Sequence, residues 1–153
     1  MFEKTFIMLI GPPGSGKSTF AEKWFMNDPI CPDKIREQLT GSANDQTQND
    51  KVWGIVREKI GQYANHSYGP IEIALDATSA KRKDRRSIIA HAKDCGYEKV
   101  IGIWLRTDVE ECLSRNAGRD RVVPEDVILK MWTQLLNDPP STEDGFDLVV
   151  GVW

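Results

Sequence analysis

Short apolar runs alternate along this chain with longer segments whose apolar residues recur at helical spacing. The runs predict strands at residues 6–10, 71–76, 100–105 and 146–152, and residues 29–32 predict a short extended piece at a strand start or sheet edge. The periodic segments predict helices at 17–26, 33–39, 48–65, 81–95, 108–116 and from 124 to the prolines at 139–140. This alternation favours an α/β fold of three layers, in which a parallel central sheet of about five strands carries helices on both faces.

Local signals mark the starts of two of these helices. The run Asp108-Val109-Glu110-Glu111 has the pattern of a capping box, in which side chains at both ends satisfy backbone N–H groups. Pro124 is the predicted first residue of the last helix, where its missing N–H costs nothing, and acids follow it in the first turn.

Composition and length predict one domain over residues 1–153. The 153 residues are 40 % hydrophobic, which is enough for a sizeable core. No stretch is long and apolar enough to span a membrane and no signal peptide fits before the first strand, so we expect a cytoplasmic protein without a membrane partner. Cys31, Cys95 and Cys112 lack paired spacing, which predicts reduced thiols and no zinc site. Apolar surroundings indicate core positions for Trp24, Trp53, Trp104 and Trp132, and leave Trp153 unassigned.

The net charge of −3 does not by itself indicate a nucleic-acid partner. Its distribution is uneven, because residues 81–121 carry eleven Lys and Arg against seven Asp and Glu. A basic segment in an acidic protein suggests a local anion site, and the phosphates of a nucleotide alone would also account for it.

Residues 11–19 carry the clearest chemical signal. They read Gly11, Pro12, Pro13, Gly14, Ser15, Gly16, Lys17, Ser18 and Thr19, which fits the phosphate-binding pattern G-x-x-x-x-G-K-[ST] between a strand and a helix. Backbone N–H groups of such a loop and the N-terminus of the following helix attract phosphate oxygens. Lys17 can reach the β- and γ-phosphates of ATP, and the Ser18 hydroxyl can ligate Mg²⁺. The pattern predicts ATP binding and leaves the phosphate acceptor open: water, a small molecule, a protein or a nucleic acid.

Asp33 and Arg36 follow the predicted extended piece and lie three residues apart, on one helical turn. At the mouth of a strand, Asp33 could accept the proton of an attacking hydroxyl. Arg36 could hold a phosphate or carboxylate of the acceptor with two hydrogen bonds. The alternative is that Asp33 caps a helix and Arg36 is a surface residue.

A second group of candidate residues follows the strand at 71–76. Asp76 could orient Mg²⁺ through water or lie with Thr78 in the acceptor site, whereas Thr78 or Ser79 could instead cap the next helix. Cations at the start of a helix oppose the helix dipole and therefore suggest a bound anion. The next helix begins with such a run, formed by Lys81, Arg82, Lys83, Arg85 and Arg86. Arg85 is a candidate acceptor-binding residue, and a solvated helix face is the alternative.

Arg115, Arg119 and Arg121 flank a short polar loop between two predicted helices. This is the form of a lid over a nucleotide, in which an arginine stabilises charge on the transferring phosphoryl group. Arg115 and Arg119 are therefore candidate nucleotide-binding residues.

Together these motifs resemble the kinase domain of polynucleotide 5′-hydroxyl kinases, within the adenylate-kinase-like, AAA-type group of small P-loop kinases. The resemblance covers nearly the whole chain. It rests on residues 11–19, D-x-x-R at 33–36, D-A-T at 76–78 with R-R at 85–86, and R-N-x-x-R then V-P at 115–124, and E-D-G-F-D at 143–147 resembles a tail of that group.

The resemblance implies a P-loop NTPase fold with a short Arg-rich lid at about residues 115–123. It also implies residue roles. Lys17 and Ser18 would hold ATP and Mg²⁺, and Arg119 would contact the ATP phosphates. Asp33 would be the general base, and Arg36 would grip the phosphate next to the 5′-hydroxyl.

We therefore expect a kinase that transfers the ATP γ-phosphoryl group to a hydroxyl, with the 5′-OH end of DNA or RNA as the first choice of acceptor. The alternatives are a small-molecule, antibiotic or aminoacyl-tRNA kinase of the same fold, or a nucleotide-dependent ATPase switch. End-repair enzymes of the family carry a phosphatase or ligase domain that this chain lacks, so a separate phosphatase or ligase is an expected partner.

Overall fold

The computed structural model describes residues 3–25, 27–66 and 71–153. Its strands are β1 (Lys4–Ile10), β2 (Ile71–Asp76), β3 (Lys99–Leu105) and β4 (Leu148–Val152). They form one parallel sheet in the order β2-β1-β3-β4. The predicted α/β architecture is confirmed. Met26, the predicted end of the first helix, and a turn expected at Gly69-Pro70 lie outside the described residues.

Among the residues that the structure describes, the sheet has four strands rather than about five. The expected additional strand is reduced to a single parallel bridge between Ile30 and Leu75. Ile30 donates its N–H to the carbonyl of Ala74 and accepts from the N–H of Asp76. Pro29 and Pro32 on either side lack an N–H, so the pairing cannot extend.

The helices follow the predicted segments closely. They are α1 (Lys17–Trp24), α2 (Pro32–Thr40), α3 (Asn49–His66), α4 (Arg82–Asp94), α5 (Val109–Ala117) and α6 (Glu125–Asn137). A 3₁₀ turn at Thr142–Asp144, which we did not predict, precedes β4.

The helix caps differ from the sequence signals. Asp108 is the N-cap of α5, but its side chain makes no capping hydrogen bond, so the capping box predicted there is wrong. Pro124 is the N-cap of α6 rather than its first residue. A capping box does exist at the 3₁₀ turn, where Ser141 and Asp144 satisfy each other's backbone N–H groups.

β1 is packed on both faces of the sheet. Its alternate side chains point to opposite faces, as in any strand. Phe6, Met8 and Ile10 belong to the large hydrophobic cluster that includes residues of α3 and α4. Ile7 and Leu9 belong to a smaller cluster on the other face, with Ala21 of α1. Both faces of the sheet are therefore covered by helices.

The carboxyl ends of the parallel strands meet at one edge of the sheet. The phosphate-loop motif follows β1, Asp76 ends β2, and α2 begins just after the Ile30 bridge. Ligands of parallel α/β sheets bind at this edge. Within the ranges that the structure describes, no helix has the length and apolar character of a membrane span.

Candidate active site

The phosphate loop is shaped by glycines in the left-handed region. Gly14 has a φ of 84° and Gly16 a φ of 98°, conformations that residues with a Cβ rarely adopt. At Gly14 a Cβ would also lie only 2.3 Å from the carbonyl oxygen of Cys112 in α5. The loop therefore needs glycine at this position for its backbone conformation and for its contact with α5.

The Lys17 ammonium group is folded against the loop. Its Nζ donates to the carbonyl oxygens of Gly11 at 2.8 Å and Pro12 at 3.1 Å. Burial lowers the pKa of Lys17 because the charged form loses hydration, while the carboxylates of Asp76 and Asp33 act in the opposite direction. Lys17 thus places a partly desolvated positive charge at the phosphate loop, where it can attract a phosphate.

Ser18 and Asp76 meet across the ends of β1 and β2. The Ser18 hydroxyl donates to Asp76 Oδ2 at 2.6 Å, and Asp76 is 7 % exposed. A hydroxyl beside a buried carboxylate is an oxygen-donor set that suits Mg²⁺, which favours few protein ligands together with substrate phosphates. The residues present therefore fit the expected ion. No group of three or more His, Cys, Asp or Glu in metal-binding proximity occurs among the residues described.

Asp33 lies between two arginines. Arg36 donates from Nη1 to Asp33 Oδ1, and Arg121 donates from Nη1 to Asp33 Oδ2, both at 2.7 Å. The N-cap of α2 is Cys31, so Asp33 is not a cap, and Arg36 is only 6 % exposed, so it is not a surface residue. Asn49 of α3 accepts from Arg36 Nε and helps to fix the plane of its guanidinium group.

Of the other two lid arginines, Arg115 lies in the last turn of α5 and Arg119 in the loop between α5 and α6. Arg115 Nη1 lies 3.4 Å from the carbonyl oxygen of Gly14, and its Nε donates to Glu111. Arg119 lines the cavity, and its charge contributes to the lowered pKa of Lys17. The end of α5 therefore borders the phosphate loop, and the loop after α5 borders the cavity.

One cavity of about 1450 Å³ joins these groups. Its lining includes Lys17, Ser18, Asp33, Arg36, Asp76 and Arg119. The volume exceeds the roughly 300–1000 Å³ of pockets that hold one small ligand. The cavity has room for a nucleotide at the loop and a second molecule near Asp33.

Of the two acceptor-side candidates after β2, Thr78 lies at the cavity and Arg85 does not. Thr78 lines the cavity, and its carbonyl oxygen accepts from the N–H of Gly11; the N-cap of α4 is Lys81, so neither Thr78 nor Ser79 caps that helix. Arg85 does not reach the cavity. It is 0 % exposed, and the prediction that it binds the acceptor is wrong.

Arg85 is held entirely by the protein. It donates to Asp144 Oδ2 and to three carbonyl oxygens, those of Ser79, Ala80 and Asp138. Arg82 pairs with Asp138 and Asp144 as well. The basic start of α4 suggested a bound anion. For Arg82 and Arg85, that anion is a pair of carboxylates of the same chain, those of Asp138 and Asp144.

Aromatic residues near the cavity were not predicted to be part of it. Trp24 is 62 % exposed and lines the cavity, because Phe20 and Phe25 pack beside Ala21 in its place. Trp53 also lines the cavity, and Trp153 does so with its ring 4.8 Å from the Arg106 guanidinium. The prediction that Trp24 is a core residue is therefore wrong, whereas Trp53 both packs against the large hydrophobic cluster and lines the cavity.

The fold and the loop define a P-loop kinase domain. A family model described as an AAA domain matches residues 6–137, and the chain belongs to this family. No curated protein sequence matches the chain.

Three solved structures illustrate the similarity of fold. A chain in the structure of the Pnkp1/Rnl/Hen1 RNA repair complex is 21 % identical with a TM-score of 0.75; the alignment covers 96 % of this chain and 47 % of that one. A gluconokinase from Sinorhizobium meliloti 1021 is 18 % identical, with a TM-score of 0.57 and coverage of 99 % and 83 %. A deoxyadenosine kinase from M. mycoides is 14 % identical, with a TM-score of 0.54 and coverage of 97 % and 90 %. The chain thus spans about half of the first of these proteins, and all three share its fold.

Proposed function

We propose that this protein is an ATP-dependent kinase that phosphorylates the 5′-hydroxyl end of a nucleic acid. The observation that carries the proposal is the single cavity in which the phosphate loop and the Asp33–Arg36 pair lie together. A nucleotide-hydrolysing switch has no need for a second site with its own carboxylate and buried arginine.

The donor side is supported by the phosphate loop and the lid. Lys17 and the loop N–H groups would bind the β- and γ-phosphates, with Arg115 and Arg119 on the lid side. Ser18 would hold Mg²⁺, with Asp76 orienting its water ligands, and the ion would neutralise phosphate charge when bound. The contact between Ser18 and Asp76 supports this assignment.

The acceptor side is supported by Asp33 and Arg36. Asp33 is a carboxylate at the cavity edge whose side chain is 50 % exposed, so a hydroxyl can reach it. In the reaction the acceptor oxygen forms a bond to the γ-phosphorus, the bond from that phosphorus to the β,γ-bridging oxygen breaks, and Asp33 takes the hydroxyl proton. ADP is the leaving group, and Arg36 would hold the phosphate next to the 5′-hydroxyl.

The nature of the acceptor is tested with γ-labelled ATP and a panel of molecules. We expect label on an oligonucleotide with a 5′-OH and on a nucleoside 3′-monophosphate, and none on the same oligonucleotide with a 5′-phosphate. Label on a nucleoside or sugar alcohol but on no nucleic acid would identify a small-molecule kinase instead. Phosphate release that does not depend on any acceptor would identify an ATPase.

The role of Asp33 is tested by Asp33→Asn, which keeps the shape of the side chain and removes its basicity. We expect kcat on the 5′-OH oligonucleotide to fall by about 10²–10⁴-fold, the usual contribution of a general base. Asp94→Asn is the matched control, since Asp94 is an exposed residue of α4 outside the cavity lining. Full activity of the Asp33 variant would rule out this assignment.

The product of this reaction, a 5′-phosphate end, is the group that a ligation reaction consumes. We therefore infer that a separate phosphatase or ligase works with this chain, in the cytoplasm. The functional link is tested by combining the protein, a ligase and a duplex whose nick carries a 5′-OH. We expect sealing of the nick only when both proteins and ATP are present.

A further inference from the structure

The loop between α5 and α6 carries arginines that reach opposite halves of the cavity. On the donor side, the positive charge of Arg119 contributes to the lowered pKa of Lys17. Two residues later, Arg121 donates from Nη1 to Asp33 Oδ2 and from Nε to Asn44 Oδ1, both at 2.7 Å. The sequence places both arginines in a lid over phosphates, but the structure places Arg121 against the acceptor-side carboxylate.

The base of this loop is rigidly held. The Asn116 side chain, 1 % exposed, donates to the carbonyl oxygen of Val123 at 2.7 Å and accepts from its N–H at 3.0 Å. Val123 packs in a cluster with Cys112 and Ile128, and Cys112 in turn contacts Gly14 of the phosphate loop. The position of the loop is therefore fixed relative to the donor site.

The two oxygens of Asp33 are each occupied by a different element. Arg36 of α2 binds Oδ1, and Arg121 of the lid binds Oδ2. The side chains of Arg121 and Asp33 are 28 % and 50 % exposed, so this ion pair is partly buried and solvent screens it less than a fully exposed pair. Because the two donors bind different oxygens of Asp33, they restrict rotation of its carboxylate.

We propose that Arg121 is a positioning residue that fixes the Asp33 carboxylate and ties the lid to the acceptor site. This inference rests on the proposed function and adds to it that the loop bordering the donor site also orients the base. Each Asp33 oxygen keeps a free lone-pair direction, so the acceptor hydroxyl can still approach while Arg121 is in place.

The first test compares steady-state kinetics of Arg121→Gln and Arg121→Lys with wild type, using the 5′-OH oligonucleotide. We expect kcat to fall by about 10–100-fold in Arg121→Gln with little change in acceptor KM, since a base displaced by about 1 Å can cost 10² in rate. Arg121→Lys should keep more of kcat than Arg121→Gln, because lysine retains the positive charge. It should not reach wild-type kcat, because one ammonium group cannot replace both the Asp33 and the Asn44 contact. A rise in acceptor KM at unchanged kcat would overturn the proposal and make Arg121 a substrate-binding residue.

The second test needs no turnover and measures amide hydrogen exchange in residues 118–123. We expect faster exchange in Arg121→Gln and also in Asp33→Asn, because each variant weakens the contact between lid and α2 from one side. Arg86→Gln is the matched control, an exposed arginine whose Nη2 lies 3.4 Å from the carbonyl oxygen of Glu143. Unchanged exchange in both site variants would overturn the proposal.

The two tests separate this inference from the proposed function. If wild-type protein phosphorylates none of the 5′-OH acceptors, the proposed function fails, and the exchange measurement still decides whether Arg121 ties the lid to Asp33. If the protein is active and Arg121→Gln has wild-type kcat and KM, the function stands and the positioning role is wrong.

Discussion

At the scale of single residues, Gly14 combines two constraints that can be separated by experiment. Its φ of 84° disfavours any residue with a Cβ, and a Cβ would lie 2.3 Å from the Cys112 carbonyl oxygen. Gly41, after α2, has the same φ of 84° and has no neighbouring atom within 4 Å of the Cβ position. The pair therefore distinguishes backbone strain from steric collision.

We expect Gly41→Ala to lower the free energy of unfolding by about 1–2 kcal/mol, the cost of a left-handed conformation. Gly14→Ala should cost more, and it should also abolish ATP binding because the loop must move away from α5. Denaturant unfolding and ATP titration measure both effects. Equal losses of stability in the two variants would show that the contact with Cys112 is not a constraint.

Lys17 gives a pH dependence of stability. Burial lowers its pKa in the folded protein below that in the unfolded chain, so the unfolded state binds more protons between the two values. The stability of wild type relative to Lys17→Met should therefore rise as the pH increases through the folded pKa towards the unfolded value. Urea unfolding of both proteins at pH 7 and at pH 10 tests this sign, and a relative loss of wild-type stability at high pH would contradict it.

At the scale of elements, the buried Arg85–Asp144 pair joins α4 to the 3₁₀ turn before β4. Both side chains are 0 % exposed, and their atoms approach to 2.8 Å. Asp144 also forms the capping box with Ser141, so one carboxylate serves both contacts. Removing its charge would leave a buried guanidinium group without its counter-ion.

We expect Asp144→Asn to lower the free energy of unfolding by about 3–5 kcal/mol. Glu3→Gln is the matched control, since Glu3 pairs with Lys99 at 3.4 Å and both side chains are about half exposed. That variant should change stability by less than about 1 kcal/mol. Thermal and denaturant unfolding measure both, and similar small effects would show that the buried network contributes little.

The elements were predictable where the signal is local. Apolar spacing located the helices, and D-x-x-R placed Asp33 and Arg36 on one turn of α2. The contact of Arg121 with Asp33 joins residues 88 apart in sequence, and that of Arg85 with Asp144 joins residues 59 apart. One sequence contains no local pattern for such contacts, which explains why Arg85 was expected at the site and Arg121 was not assigned to Asp33.

At the scale of the whole molecule, the cavity that contains the phosphate loop and Asp33 is also lined by residues of α1. Phe20, Lys23 and Trp24 are among them, and Lys23 Nζ lies 5.6 Å from the Trp24 ring centroid. An exposed aromatic ring beside a cation is a typical surface for single-stranded nucleic acid, where bases stack and phosphates are attracted. If the acceptor is a nucleic acid, as proposed, the part beyond its first nucleotide would therefore lie along α1.

If the acceptor is a nucleic acid, Trp24→Ala should weaken binding of long acceptors selectively. Loss of one base–aromatic stack, about 1–3 kcal/mol, should raise the KM of a 5′-OH oligonucleotide at least fivefold, whereas the KM of a nucleoside 3′-monophosphate should stay unchanged. The mononucleotide is the internal control, because in the proposed binding mode it would occupy the Asp33–Arg36 region without reaching α1. An equal rise of KM for both acceptors would mean that Trp24 acts through the folding of α1 rather than by stacking on a base.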